Sequence, residues 1–134
     1  ISNYENLSDT VSVSNGRYYY HDFECPNGCY IDISLNVLSY GTLELITKTG
    51  SGSNSICNGG NYVTQLSQSS VRGDISLGGF LDSGSYSVIV DNTDCGNKRA
   101  EPYGGLVEFE LKICQPHFDG LNIVSAIQCT IRIF

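Results

Sequence analysis

Apolar and polar residues alternate with a period of two along most of the chain. Ile31, Ile33, Leu35 and Val37 alternate with Asp32, Ser34 and Asn36. Val107, Phe109, Leu111 and Ile113 alternate with Glu108, Glu110 and Lys112, and Ile127, Cys129, Ile131 and Ile133 with Gln128, Thr130 and Arg132. Tyr86, Val88 and Val90 repeat the pattern after the turn Asp82-Ser83-Gly84. In an extended backbone successive side chains point to opposite faces, so each run puts one apolar face on a core and one polar face in water. β-branched and aromatic residues dominate these runs, as a pleated surface favours. No helical periodicity competes with them.

Turn chemistry at Asn15-Gly16, Pro26-Asn27-Gly28, residues 50–60, Gly78-Gly79 and residues 96–105 divides the chain. About nine strands result, near 9–14, 17–25, 30–39, 42–49, 61–68, 71–78, 84–92, 105–115 and 122–134. Short strands at this spacing predict an all-β fold, an antiparallel β-sandwich or jelly roll. The 134 residues make one domain, 1–134, with no linker or internal repeat.

Composition adds a compartment. The chain carries 14 Asp plus Glu against 7 Lys plus Arg, a net charge of −7. Such a surface repels phosphate, which argues against nucleic acid and anionic membranes as partners. No apolar run reaches the roughly 18 residues of a membrane helix, so membrane insertion is not expected. Six cysteines fit three disulfides in an oxidising space. The first residue is Ile1, consistent with a removed signal peptide. The sequon Asn6-Leu7-Ser8 makes Asn6 a glycosylation candidate. An extracellular, secreted protein is the expectation. Cys25 and Cys29 are separated by three residues, and His21 and His117 stand at no zinc-ligand spacing, so the cysteines read as bridges. Strand positions suggest Cys25 with Cys29 across the Pro-Asn-Gly turn, Cys57 with Cys95 between two loops, and Cys114 with Cys129 on the last two strands.

One ordered set of segments is familiar. Gly16-Arg17-Tyr18-Tyr19-Tyr20-His21-Asp22-Phe23 precedes the alternating run from Ile31 to Val37, then Gly41-Thr42-Leu43-Glu44-Leu45. Leu81-Asp82-Ser83-Gly84-Ser85-Tyr86-Ser87-Val88-Ile89-Val90-Asp91 follows, and Val107 to Ile113 closes the set. This order resembles the bacterial pre-peptidase C-terminal (PPC) domain, a small secreted β-sandwich, over about residues 16–113. Residues 1–15 then form an N-terminal extension and 114–134 an additional C-terminal strand. The chain departs from the family pattern in having no Asp before Leu43 and in its six cysteines. The resemblance implies a non-catalytic accessory module of adhesive, carbohydrate-binding or targeting type.

No catalytic constellation emerges. There is no Gly-x-Ser-x-Gly elbow, and the carboxylates are scattered, so the chain is not expected to be an enzyme. Asp91, Asp94 and Glu101 gather hard oxygen ligands on one loop and could take calcium, although Asp and Asn also build turns and the spacing matches no EF-hand. Otherwise no cofactor is expected. Arg72-Gly73-Asp74 spells an adhesive tripeptide, but between Val71 and Ile75 a glycine bulge or turn is the plainer reading. In Tyr18-Tyr19-Tyr20 alternation exposes either Tyr19 or its two neighbours, and exposed tyrosines can stack on sugars.

The ends suggest assembly. The C-terminus closes on Ile131-Arg132-Ile133-Phe134 without a polar tail. A terminal strand could dock on its own sandwich or add to the sheet of a second copy, and head-to-tail addition grows a fibre. Asp9, Val11, Val13, Ile127, Ile131, Ile133 and Phe134 are the residues placed at such a joint. The expected function is a non-enzymatic extracellular structural subunit that self-associates into a fibre or surface assembly. The alternative is a monomeric secreted carbohydrate-binding or adhesive module, for which calcium at Asp91–Glu101 could be required.

Overall fold

The computed structural model of the chain describes residues 3–53, 60–115, 118–119 and 122–123. Among them, eight strands form two four-stranded antiparallel sheets that pack face to face. The first sheet has the order β1 (Asn3–Val13), β8 (Gly105–Gln115), β3 (Cys29–Val37), β6 (Gly73–Leu81). The second has the order β2 (Arg17–Cys25), β7 (Gly84–Asn92), β4 (Leu43–Thr49), β5 (Gln68–Val71). A two-residue ladder, β9 (Phe118–Asp119) with β10 (Asn122–Ile123), lies outside both. Every connection from β1 to β8 except β4–β5 crosses between the sheets. The core therefore lies between two layers sewn together along their length.

That core comes from the alternating runs. Ile31, Ile33, Leu35 and Val37 on β3 meet Val107, Phe109, Leu111 and Ile113 on β8. Leu43, Leu45, Val88 and Val90 face them from the second sheet. Phe109 is 2% exposed and meets Tyr19 edge-on at 5.5 Å between ring centroids. Phe23 stacks on Tyr86 at 5.9 Å. Tyr19 thus points inward, while Tyr18 and Tyr20 lie together on the outer face.

The all-β expectation holds, but strand number and bounds differ. The first strand begins at Asn3 rather than near residue 9, because backbone pairing with β8 extends through the polar residues; Leu7 and Val11 supply inward contacts. Residues 61–67 do not form a strand, and Gln68 opens β5. The chain turns there through a short 3-10 segment, Thr64–Leu66, fastened by the Thr47 hydroxyl donating to the Leu66 carbonyl at 2.7 Å. Leu66 is buried there with a leucine methyl packed near Gly79. The expected strand 71–78 is two strands in different sheets, broken at Gly73, whose φ of +68° a β-branched residue could not adopt without strain. The expected last strand, 122–134, lies outside the described residues beyond Ile123, so nine strands are not what the described residues form.

One corner is covalently closed. Cys25 ends β2 in the second sheet, Cys29 begins β3 in the first, and a disulfide joins them across the turn. Gly28 there has φ +80°, and a Cβ on it would meet the Leu81 carbonyl oxygen at 3.0 Å. The Ser83 hydroxyl of the neighbouring crossover donates to the Pro26 carbonyl at 2.6 Å. Cys95 and Cys114 are also disulfide-bonded. Cys57 and Cys129 lie outside the described residues, so of the three bonds expected one is seen with both of its ends. Among the described residues no helix is long and apolar enough to cross a membrane.

Candidate assembly edges and a buried acidic centre

Among the described residues, the first sheet ends in two long edges on which no further strand pairs. β1 has 11 residues and pairs with β8 at every one, and β6 has 9 and pairs with β3 at every one. Neither strand contains Pro or Lys, and neither register is interrupted by a bulge. Soluble proteins usually blunt such edges with one of these devices. Glu5 and Asp9 supply a guard of another kind: they share the core-facing phase of β1 yet remain exposed at the sandwich margin. The second sheet's edges are less available. β5 has 4 residues and its pairing with β4 shifts between Leu43 and Leu45. On β2, the Asp22 carboxylate holds the loop at Ser51–Ser53, accepting from the Gly52 N–H and the Ser51 hydroxyl at 2.7 Å each. Burial pushes the Asp22 carboxyl up, but those bonds and the Ser87 hydroxyl outweigh it and set it below its usual range.

The strand directions matter as much as the open edges. Each neighbour in the first sheet is antiparallel to the next, so β1 and β6 run in opposite senses. A second copy displaced sideways, without rotation, would put its β1 beside β6 in antiparallel orientation. Asp9, Val11 and Val13 therefore sit on a strand docked within its own chain, and Val13 is 2% exposed. Ile127, Ile131, Ile133 and Phe134 lie outside the described residues. Asn6 is exposed on β1, opposite Lys112.

The outer face of the first sheet is polar and acidic. Ser8, Thr10, Ser34, Asn36, Asp74, Glu108 and Glu110 line a shallow depression that reaches Asp9 at the sheet margin. Asn36 donates to Glu108 at 3.2 Å across the ladder. Tyr40 and Tyr103, 98% and 101% exposed, stand elsewhere, on loops 38–42 and 93–104, which the Thr42 N–H joins by donating to Glu101 Oε1 at 2.9 Å. Arg72-Gly73-Asp74 is the β5–β6 junction, with Arg72 and Asp74 exposed around the turning glycine.

Of the calcium candidates, Asp91 is fully buried, and the three do not share a centre. Asp94 accepts from the Ala100 N–H at 2.8 Å, and Glu101 is engaged with Thr42. Among the described residues no group of three or more His, Cys, Asp or Glu converges as a metal site. Asp91 instead faces Glu44, its cross-strand partner on β4. Glu44 is 1% exposed and Asp91 0%. Glu44 accepts from the Asn97 N–H at 2.8 Å and from its amide at 2.9 Å. Asp91 Oδ1 accepts from the Thr93 hydroxyl at 2.8 Å, while Asp91 Oδ2 has no hydrogen-bond partner. Burial pushes the Asp91 carboxyl up to about 6; Glu44 adds to the rise, and Thr93 and Lys98 oppose it. Burial, then the charges of Glu44 and Asp91, also raise the Tyr62 phenol. Alternation alone would put Glu44 in solvent, so the sequence does not single it out.

Comparison with solved structures places the fold. The chain is similar to the pre-peptidase C-terminal domain of a collagenase from Bacillus anthracis, with 16% identity and a TM-score of 0.55 over 79% of this chain and 88% of that one. It is similar to a protein from Bacillus endospore appendages, described as a novel family of disulfide-linked pili, with 11% identity and a TM-score of 0.56 over 85% of this chain and 87% of that one. No protein-family model and no curated protein matches the sequence. At these identities the likeness is one of fold, and at that level the resemblance to the PPC sandwich read from residues 16–113 is borne out.

Proposed function

We propose that the chain is a non-enzymatic structural subunit of an extracellular fibre or surface assembly, joined by sheet extension along the edges of its first sheet. The observation that carries this reading is the pair of long, unbroken edges of opposite polarity, β1 and β6. Main-chain hydrogen bonds across such a joint give affinity, and alternating side chains give register. Translation does not close on itself, so the product is a filament rather than a dimer. Four strands at about 4.8 Å spacing give a repeat of about 19 Å per copy along the sheet. The acidic outer face disfavours face-to-face stacking and leaves the edge as the joint. The Cys25–Cys29 disulfide, with Cys95 and Cys114 also bonded, suits a durable extracellular material. The fold shared with a protein of disulfide-linked pili supports the reading. Relative to the strand-exchange expectation, the joint shifts from a detached terminal segment to the free edge of a docked one.

The test is light scattering and negative-stain microscopy of the purified chain, with proline placed singly at Ile75 and Ser76 on β6. Neighbouring residues in a strand point their N–H groups to opposite sides, so one of the two prolines blocks only the open edge. That variant is expected to keep its fold and lose assembly. Raised salt is expected to favour assembly by screening Glu5 and Asp9. A wild-type chain that stays monomeric at high concentration and salt contradicts the proposal, as does a folded edge-blocked variant that still polymerises.

A glycan-binding module is the second reading. It rests on Tyr40 and Tyr103, fully exposed on two linked loops. Loss of a glycan-array signal in Tyr40→Ala and Tyr103→Ala would favour it; a blank array with the wild-type chain would dismiss it.

A further inference from the structure

The registers of the first sheet align its residues into rows that cross all four strands. Ser8, Glu110, Ser34 and Ser76 make one such row, and Leu7, Leu111, Ile33 and Leu77 the next. No bulge interrupts these ladders, so each row runs from β1 to β6 without a step. The polar row is stitched at both ends. The Ser8 hydroxyl donates to Glu110 at 3.3 Å, and the Ser34 and Ser76 hydroxyls share a hydrogen bond at 3.2 Å. A copy moved sideways along these rows, with no slide along the strands, sets its β1 against β6 in a defined register. Ser8 of one copy then faces Ser76 of the other, Thr10 faces Asp74, and Leu7 faces Leu77.

The two margins differ in a way that selects among registers. A recess of about 340 Å³ lies where β1, β8 and β2 meet, lined by Leu7, Leu111, Ile113, Glu5, Asn6 and His21. At the other margin Ile75 and Leu77 are half-buried, in the core-facing phase of β6. With no slide, Leu77 of one copy lies in the row of Leu7 and Leu111 of the next, and so points at the recess. A slide of one residue would turn the core-facing phase of one strand against the water-facing phase of the other. A slide of two that keeps β6 fully paired puts Gly79 opposite Leu7, which offers the recess no side chain. It also sets Glu5 on Leu81 and Asp9 on Leu77, and a carboxylate against an apolar side chain loses water without gaining a partner. The opposite slide leaves Phe80 and Leu81 beyond the start of β1. The unslid register pairs every residue of β6. It sets Glu5 against Gly79, which presents backbone with the buried Leu66 behind it, and leaves Asp9 as the carboxylate that meets an apolar side chain, Ile75.

We infer that copies join flush, in the register that continues the rows of the first sheet, with Leu77 of one copy filling the recess beside Leu7 and Leu111 of the next. The inference rests on the edge-joint reading and adds its specificity. The cores of neighbouring copies then meet through Leu7, Val11, Ile75 and Leu77 instead of ending at each margin. Asp9 is the brake built into that contact.

Cross-linking at exposed outward positions reads the register without touching the core. Chains carrying Ser76→Cys are mixed with chains carrying Asn6→Cys, Ser8→Cys or Thr10→Cys under assembly conditions and oxidised briefly. Covalent dimers are read on a non-reducing gel and located by peptide mass. Facing residues of a ladder stand about 4.5–5.5 Å apart at Cα, within disulfide reach, whereas an offset of two residues takes them to about 7–8 Å, beyond it. A dimer is expected with Ser8→Cys and its loss with Asn6→Cys and Thr10→Cys. A dimer chiefly from Asn6→Cys or Thr10→Cys overturns the flush register and leaves the edge joint in place. Assembly of the wild-type chain with no dimer from any of the three overturns both. A wild-type chain that never assembles removes the edge joint, and the register with it. Leu77→Ala, checked for folding by its unfolding transition, is expected to raise the concentration needed for assembly several-fold, and Ser76→Ala to leave it unchanged. Equal values for the two overturn the role of Leu77.

Discussion

The two sheets share one core but meet their surroundings differently. On the first sheet, alternation runs cleanly to water: β3 and β8 bury every second residue and present Ser34, Asn36, Glu108 and Glu110 on the other face. On the second, β4 is buried without a break from Leu43 to Lys48, and β7 from Tyr86 to Asn92. Ile46 and Ile89 form a small second core there with Tyr18 and Tyr62, and Glu44 and Asp91 are buried on the same strands. The first sheet is therefore a wet face with two usable edges. The second is a covered face whose edges are short, bulged or occupied by a loop. Cover on one sheet leaves the other as the place where sheet extension can occur.

That contrast breaks most sharply under mutation of matched outward positions. Ile89→Ala removes a fully buried side chain from the outer face of β7 and is expected to cost about 2–5 kcal/mol in denaturant unfolding. Ser34→Ala, outward on β3, is expected to change stability by less than about 0.5 kcal/mol. Equal costs at the two sites would remove the distinction between the sheets.

Acid sharpens the same contrast. Burial pushes the Asp91 carboxyl up to about 6 in the folded chain, against its ordinary 3.8 in the unfolded one. Between these values the folded chain holds more protons, so stability falls as pH rises from about 4 to about 6 and then levels. The full span is about 3 kcal/mol. Asp91→Asn is expected to flatten that slope in pH-dependent unfolding, whereas Glu108→Gln on the first sheet should leave it in place. A slope that survives Asp91→Asn would locate its cause elsewhere.

The smallest expected effect concerns the loop at the β2 edge. Asp22→Ala removes two short hydrogen bonds to Ser51 and Gly52 from an exposed carboxylate. The Gly52 amide is expected to exchange faster, with little change in global stability. If exchange there is unchanged, the loop is held by its other contacts.

The first sheet was legible because one of its faces is wet. Alternation at Ile31–Val37 and Val107–Ile113 gave both strands and their core faces, and the Pro26-Asn27-Gly28 turn gave the one disulfide seen at both ends. β1 was half legible: Val11 and Val13 mark it, but residues 3–10 pair through the backbone, which leaves little trace in side-chain type. On β4 and β7 of the second sheet both faces are buried, and there alternation misleads about Glu44. The available signal was the uninterrupted apolar run Val88-Ile89-Val90, whose middle residue falls in the outward phase. Such a run marks a covered strand. What covers it is set by loop geometry around Gly96 and Asn97, which composition does not encode.

The central claim is that β1 and β6 are the joint between copies. Amide hydrogen exchange, compared between assembled wild-type chain and its edge-blocked monomer, tests it most directly. The account predicts new protection at alternate amides along Asn3–Val13 and Gly73–Leu81, with Arg17–Cys25 and Gln68–Val71 unchanged. Protection that appears on the second sheet's edges instead, or on neither, would contradict it.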